Sequence, residues 1–97
     1  MTSEWARRAA DVVAGFTSTR SKGMDAMFGG PGGPTHMVRA EGCRVRTTDG
    51  RELIDWTMAL GAVALGYAHP AVVEAVQRAT RDGAVGPLPP TLEVRVA

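Results

Sequence analysis

Asp49-Gly50-Arg51-Glu52-Leu53-Ile54-Asp55-Trp56, then the small apolar run Met58 to Leu65, then Gly66-Tyr67-Ala68-His69-Pro70-Ala71-Val72-Val73-Glu74-Ala75-Val76, decides the fold of this chain. Asp-Gly between two β-rich runs is the strongest short-range hairpin signal, because a two-residue type I′ turn needs positive φ at both central residues. The expected strands are residues 43–48 and 51–56. With Thr48 opposite Arg51, Val45 faces Ile54, Cys43 faces Trp56 and Arg44 faces Asp55, so two apolar pairs and one ion pair agree on one register. A third short strand is expected over 35–40. An isolated hairpin is marginal in water, so its apolar face must rest on something else.

Residues 57–65 hold no charge. The run therefore reads as buried backbone, with Gly61 and Gly66 marking close approach by another segment or by a ligand. Burial against the protein's own interior is the plainer reading, and a ligand-facing wall the sharper one. Pro70 suits the first position of a helix, where its missing N–H costs nothing. Val72, Val73, Val76, Ala79 and Thr80 fall on one face, Glu74, Gln77, Arg78 and Arg81 mostly on the other, and Gly83 supplies the stop. Burying the three valines would contribute about 5 kcal/mol, given a surface to dock on. Gly86-Pro87-Leu88-Pro89-Pro90 reads as an extended turn, and Thr91 as the cap of a new helix from Leu92. That helix is reached so near Ala97 that the chain is expected to be part of a longer polypeptide.

Upstream, Ser3 is expected to cap a helix through Ala14, stopped by Gly15. Gly29-Gly30-Pro31-Gly32-Gly33-Pro34 is too rich in breakers for a helix or strand. It is no phosphate-binding P-loop either, since no Lys-Ser/Thr pair and no helix start follow. The expected organisation is a first helix (1–15), a Gly/Pro-rich loop (16–34), antiparallel strands (35–56), a buried crossing (57–69), a helix (70–83) and the start of a further element (84–97). The fold class is α/β, this chain being an α+β segment of it.

Net charge is +1, with 11 basic and 10 acidic residues interspersed. No basic cluster suits a nucleic acid or a membrane surface, so neither is an expected partner. Cys43 is the one cysteine, which leaves no internal disulfide and no cysteine metal cluster, and no metal is expected. No apolar run reaches the roughly 20 residues of a membrane span, and no signal-peptide layout opens the chain. A cytoplasmic protein is the expectation.

Gly42-Cys43-Arg44-Val45, Asp49-Gly50-Arg51-Glu52-Leu53-Ile54-Asp55, Leu65-Gly66-Tyr67-Ala68-His69-Pro70 and Val73-Glu74-Ala75-Val76, taken together, resemble the N-terminal region of class III aminotransferases. These are pyridoxal-phosphate (PLP) enzymes of fold type I. The likeness is to the branch similar to glutamate-1-semialdehyde 2,1-aminomutase, including its Ser-Lys-Gly element at Ser21-Lys22-Gly23, and it runs from about Thr19 to Ala97. The resemblance implies a small N-terminal part made of a helix, a three-stranded antiparallel piece and a helix leading into a large PLP domain. It implies a homodimer or larger assembly, a small-molecule amino donor and a carbonyl acceptor. The phosphate loop, ring-stacking aromatic, pyridine aspartate and Schiff-base lysine of that family all lie C-terminal to the matched stretch. No catalytic and no cofactor-binding residue is therefore expected here, and Lys22 reads as a solvated loop lysine.

What the resemblance assigns to this stretch is substrate shape. Aminomutase-like relatives carry a Gly-Ser-Trp element after the hairpin that borders the substrate, and Met58-Ala59-Leu60 stand there in this chain. Losing the hydroxyl and the indole leaves a smoother apolar wall, which favours an aminotransferase acting on a different carbonyl compound over the aminomutase reaction. Relatives also grip a substrate carboxylate with an arginine and a serine of the N-terminal loop. Arg20, with Ser18 or Ser21, is the candidate, since arginine can hold a carboxylate bidentately, although an ungapped match puts Asp25 at that place. Without an arginine there, a sugar or aminocyclitol aldehyde becomes the expected acceptor. His69 reads as a capping or packing residue, Cys43 as a small core residue and Tyr67 as a packed ring with a locally satisfied hydroxyl. A non-catalytic dimerisation module is the competing reading from another class.

Overall fold

The computed structural model describes residues 3–23 and 32–97. Along them run α1 (Glu4–Val12), a 310 turn (Arg20–Lys22), β1 (Met37–Glu41), β2 (Arg44–Thr47), β3 (Glu52–Ile54), the short turn Met58–Gly61, α2 (Pro70–Arg81) and α3 (Thr91–Val96). The chain divides into two compact units, residues 1–67 and 68–97.

In the first unit, the Ser3 hydroxyl accepts the Ala6 N–H at 3.1 Å and so caps α1. The same hydroxyl lies 2.7 Å from the Thr35 hydroxyl, tying the helix start to the segment before β1. The helix ends short of the expected Ala14, because Val13 has already left helical space at φ −111° and ψ 116°. Ala6 and Ala9 are the buried apolar residues among those described. The ring of His36 stands 6.5 Å from Trp5 and 5.6 Å from Phe16, and the Arg8 guanidinium lies over Trp5 at 5.1 Å. The Gly/Pro-rich run falls partly outside the described residues, as does Asp25.

β1, β2 and β3 form one antiparallel sheet in that order. β1 turns into β2 through Gly42-Cys43, with positive φ at Gly42 only. The second hairpin is not the expected one. Arg44 pairs with Ile54, Val45 with Leu53 and Arg46 with Glu52, one residue away from the register that a two-residue turn would set. The loop is the three residues Thr48-Asp49-Gly50, and of these Gly50 alone has positive φ, at 85°. This is a type I turn closed by a left-handed glycine, the usual three-residue hairpin connection.

Thr47 makes the difference. It is the buried polar residue of the sheet, and its hydroxyl takes the Arg51 N–H at 3.0 Å while donating to the Asp49 carboxylate. Asp49 in turn pairs with the Arg51 guanidinium at 2.7 Å, and Thr47 N–H donates to the Arg51 carbonyl at 2.9 Å. A side chain thus supplies the bond that a tighter turn would have made with backbone.

The shifted register undoes three expected pairs. Val45 faces Leu53 instead of Ile54, and Arg44 bonds Glu52 at 2.7 Å instead of Asp55. Cys43 sits exposed in the first turn and Trp56 is 90% exposed past the end of β3, so neither belongs to a core.

Residues 57–69 do not form a buried crossing within this chain either: Leu60 is 78% and Leu65 69% exposed. An uncharged composition permits burial, but burial needs a covering surface. In the second unit α2 starts at Pro70 and ends at Arg81, with Asp82 as C-cap and Gly83 at φ 74°. Its valines 72, 73 and 76 remain exposed, and Glu74 pairs with Arg78 one turn on. Thr91 is the first residue of α3 rather than its cap. Pro90 holds the cap position in extended backbone, with no side-chain bond.

Candidate functional site

Directly after the hairpin the backbone turns left-handed for four residues: φ is 45° at Met58, 51° at Ala59, 57° at Leu60 and 90° at Gly61. Each residue with a side chain in this region costs about 1–2 kcal/mol, so the three before Gly61 together store about 3–6 kcal/mol. Side-chain-bearing residues rarely visit this region and almost never in a run. Such strain persists only where the surroundings over-determine it.

Asp55 meets the backbone at the entrance of this turn. Released from the expected cross-strand pair with Arg44, its carboxylate faces the turn instead. Oδ1 accepts the Thr57 N–H at 2.8 Å and the Met58 N–H at 3.2 Å, and Oδ2 accepts the Tyr67 hydroxyl at 2.6 Å. The Tyr67 bond, followed by the two amides, holds the Asp55 carboxyl below its ordinary value, against the opposing effect of burial. The same bond, with burial, raises the Tyr67 phenol.

Tyr67 is itself anchored. Its N–H donates to the Gly42 carbonyl at 2.8 Å and its carbonyl accepts the Gly42 N–H at 2.9 Å, an isolated antiparallel bridge onto the first hairpin. The turn closes on itself through Val63 N–H to the Met58 carbonyl and Ala62 N–H to the Ala59 carbonyl, both at 3.2 Å. The result is a backbone pinned from both ends that leaves Ala59 and Leu60 exposed and Met58 half-buried.

Arg20 and Lys22 lie on a different segment, the exposed 310 turn Arg20–Lys22. His69 occupies the N-cap position of α2 without a capping bond, and its Nδ1 is buried without a partner, so it packs rather than caps. Among the described residues no His, Cys, Asp and Glu side chains gather into a metal-binding group, and no helix is long and apolar enough to cross a membrane. Met58, Ala59 and Leu60, named from the sequence, fall together in this turn; the Tyr67 hydroxyl is locally satisfied as expected, but the sequence did not show that its partner is Asp55. An aspartate just ahead of a turn does signal a side-chain bond to the amides two and three residues on. Tyr67 carried no comparable local signal.

The profile of the family described as Aminotransferase class-III matches residues 30–89, a span that contains the sheet, the left-handed turn and α2. Among curated relatives, the glutamate-1-semialdehyde 2,1-aminomutase of Sorangium cellulosum is 40% identical over 90 residues, 93% of this chain and 20% of that protein. The Methanopyrus kandleri protein of the same name is 42% identical over 77 residues, 79% of this chain and 16% of that one. Among solved structures, a transaminase with PLP bound superposes with a TM-score of 0.73 at 28% identity, over 94% of this chain and 20% of that one. An ω-transaminase from Sphaerobacter thermophilus gives 0.73 at 27%, over 94% and 19%. This chain therefore spans about a fifth of the length of the relatives it matches. With the matched span taking in both the sheet and the turn it anchors, the chain belongs to the class III aminotransferase family.

Proposed function

We propose that this chain is the N-terminal segment of a PLP-dependent aminotransferase that moves an amino group between a small-molecule donor and a carbonyl acceptor. Its own contribution is the apolar wall Met58-Ala59-Leu60 beside the acceptor. The observation that carries this is the coincidence of the matched family span with four successive left-handed residues, since stored strain of this kind concentrates at functional sites. The wall would exclude water from the acceptor and orient it by shape. Where the resembling branch has a serine and a tryptophan, Ala59 and Leu60 offer no hydrogen bond, so selectivity falls on the acceptor's outline. Arg20 is the candidate grip for a carboxylate, and an acceptor without one, a sugar or aminocyclitol aldehyde, needs no such grip.

On this reading the described residues do not hold PLP, which is supported by the exposure of Lys22, the single lysine, on a short 310 turn. PLP supplies the electron-withdrawing ring that amino-group chemistry needs, and the remaining polypeptide would hold it. The 97-residue chain alone should be inactive, and the whole protein a cytoplasmic homodimer. The test is amino transfer by the whole protein, supplied with PLP, across a panel of donors and carbonyl acceptors. No turnover with any pair would sink the reading.

A second reading, intramolecular amino transfer, is favoured by the names of the similar curated proteins, at 40% and 42% identity. An absolute requirement for an external amino donor excludes a pure mutase.

A further inference from the structure

We propose that the Asp55 carboxylate and the Tyr67 hydroxyl are a positioning pair that locks the left-handed turn Met58–Gly61 and thereby sets which acceptor outlines the Met58-Ala59-Leu60 wall admits. The second half rests on the function proposed above; the first half is a statement about this chain alone.

Three observations carry it. The turn is one that side-chain-bearing residues leave when free to do so, with Met58, Ala59 and Leu60 all at positive φ. One carboxylate satisfies both amides at its entrance and, through its other oxygen, the Tyr67 hydroxyl. Tyr67 is fixed to the sheet by two backbone bonds to Gly42, so the carboxylate is braced against a rigid element and not against another loop. Neither Asp55 nor Tyr67 belongs to the wall itself; both act through the backbone of Thr57 and Met58.

The chemistry predicts a graded response. Tyr67→Phe keeps the ring and removes the brace, leaving Oδ2 free to rotate away. Asp55→Asn keeps an oxygen for the two amides and offers its own N–H to the Tyr67 oxygen, so it should preserve most of the lock. Asp55→Ala removes all three bonds.

The experiment uses the whole protein in two arms. In the first, hydrogen exchange is followed at the Thr57 and Met58 amides. Tyr67→Phe should speed both about tenfold, the effect expected of losing a hydrogen bond to a charged group, with Asp55→Asn milder and Asp55→Ala more severe. In a Met58→Gly background the turn is relieved at its first residue, so Tyr67→Phe should cost at least about threefold less there, as coupled sites require. In the second arm, the kcat/KM ratio between a compact and a bulky acceptor should shift about tenfold in Tyr67→Phe, carried by KM with kcat for the compact acceptor retained.

Unchanged exchange in Tyr67→Phe, or an equal cost in both backgrounds, overturns the lock. Faster exchange with an unmoved acceptor ratio overturns the selectivity role. A wild-type protein that transfers no amino group fails before any substitution is made, and that failure belongs to the functional reading; the exchange arm still decides the lock.

Discussion

Gly66 packs so closely on Gly42 that a Cβ built on it would stand 3.0 Å from the Gly42 Cα. That approach lets Tyr67, the next residue, reach Gly42 with both backbone bonds. Gly66 is also at φ 90°, where a side chain is strained whatever the space. Gly66→Ala should therefore weaken this bridge by about 1–3 kcal/mol. Hydrogen exchange at the Gly42 and Tyr67 amides checks it, and unchanged protection of both would count against the close packing.

The hairpin loop should be sensitive to acid in a defined range. Arg51, first, and the Thr47 hydroxyl hold the Asp49 carboxyl down from 3.8 to about 2. A depressed carboxyl favours the folded loop in its ionised form. That contribution is complete above 3.8 and is lost as pH falls through about 2. Carboxyl NMR of Asp49 should show a midpoint near the lower value, and Arg51→Ala should return it towards the ordinary one.

Met58→Gly should stabilise the segment by about 1 kcal/mol, since glycine adopts the left-handed conformation without the penalty methionine carries. Slower exchange at the Val63 amide, which closes onto the Met58 carbonyl, is the expected reading. A faster rate would mean the side chain of Met58 contributes more to the turn than its conformation costs.

Lys22 should be dispensable for chemistry. It is exposed on the Arg20–Lys22 turn, and replacing a surface side chain costs within about twofold. Lys22→Ala is expected to keep the turnover of the whole protein. Borohydride treatment with PLP should leave no stoichiometric label on Lys22, and a label there together with lost turnover would reassign it.

Some of this architecture is written in short-range signals. Ser3 announces the start of α1, Pro70 and Gly83 bracket α2, and Asp49-Gly50 places a reversal between two strands. The same dipeptide serves both two-residue and three-residue hairpin loops, and here the choice rests on the Thr47 hydroxyl, a residue outside the dipeptide. One residue of loop length then moved every cross-strand pair, which freed Asp55 for the turn. The left-handed run was illegible for a different reason. Met, Ala and Leu are not residues that local rules place at positive φ; the bond beside the run, from Tyr67 to Asp55, joins residues twelve apart in sequence. Composition also overstated burial of residues 57–65, because the surface that would cover an apolar run is not encoded in the run.

The indole of Trp56, almost wholly in water and immediately ahead of the Asp55-anchored turn, makes this segment optically self-reporting. The chain's other tryptophan, Trp5, is 48% exposed, with the Arg8 guanidinium over its ring and His36 beside it, so a Trp5→Phe background isolates the Trp56 signal. A surface that covered Trp56 would shift its fluorescence to the blue, a label-free signal from the residue next to Asp55.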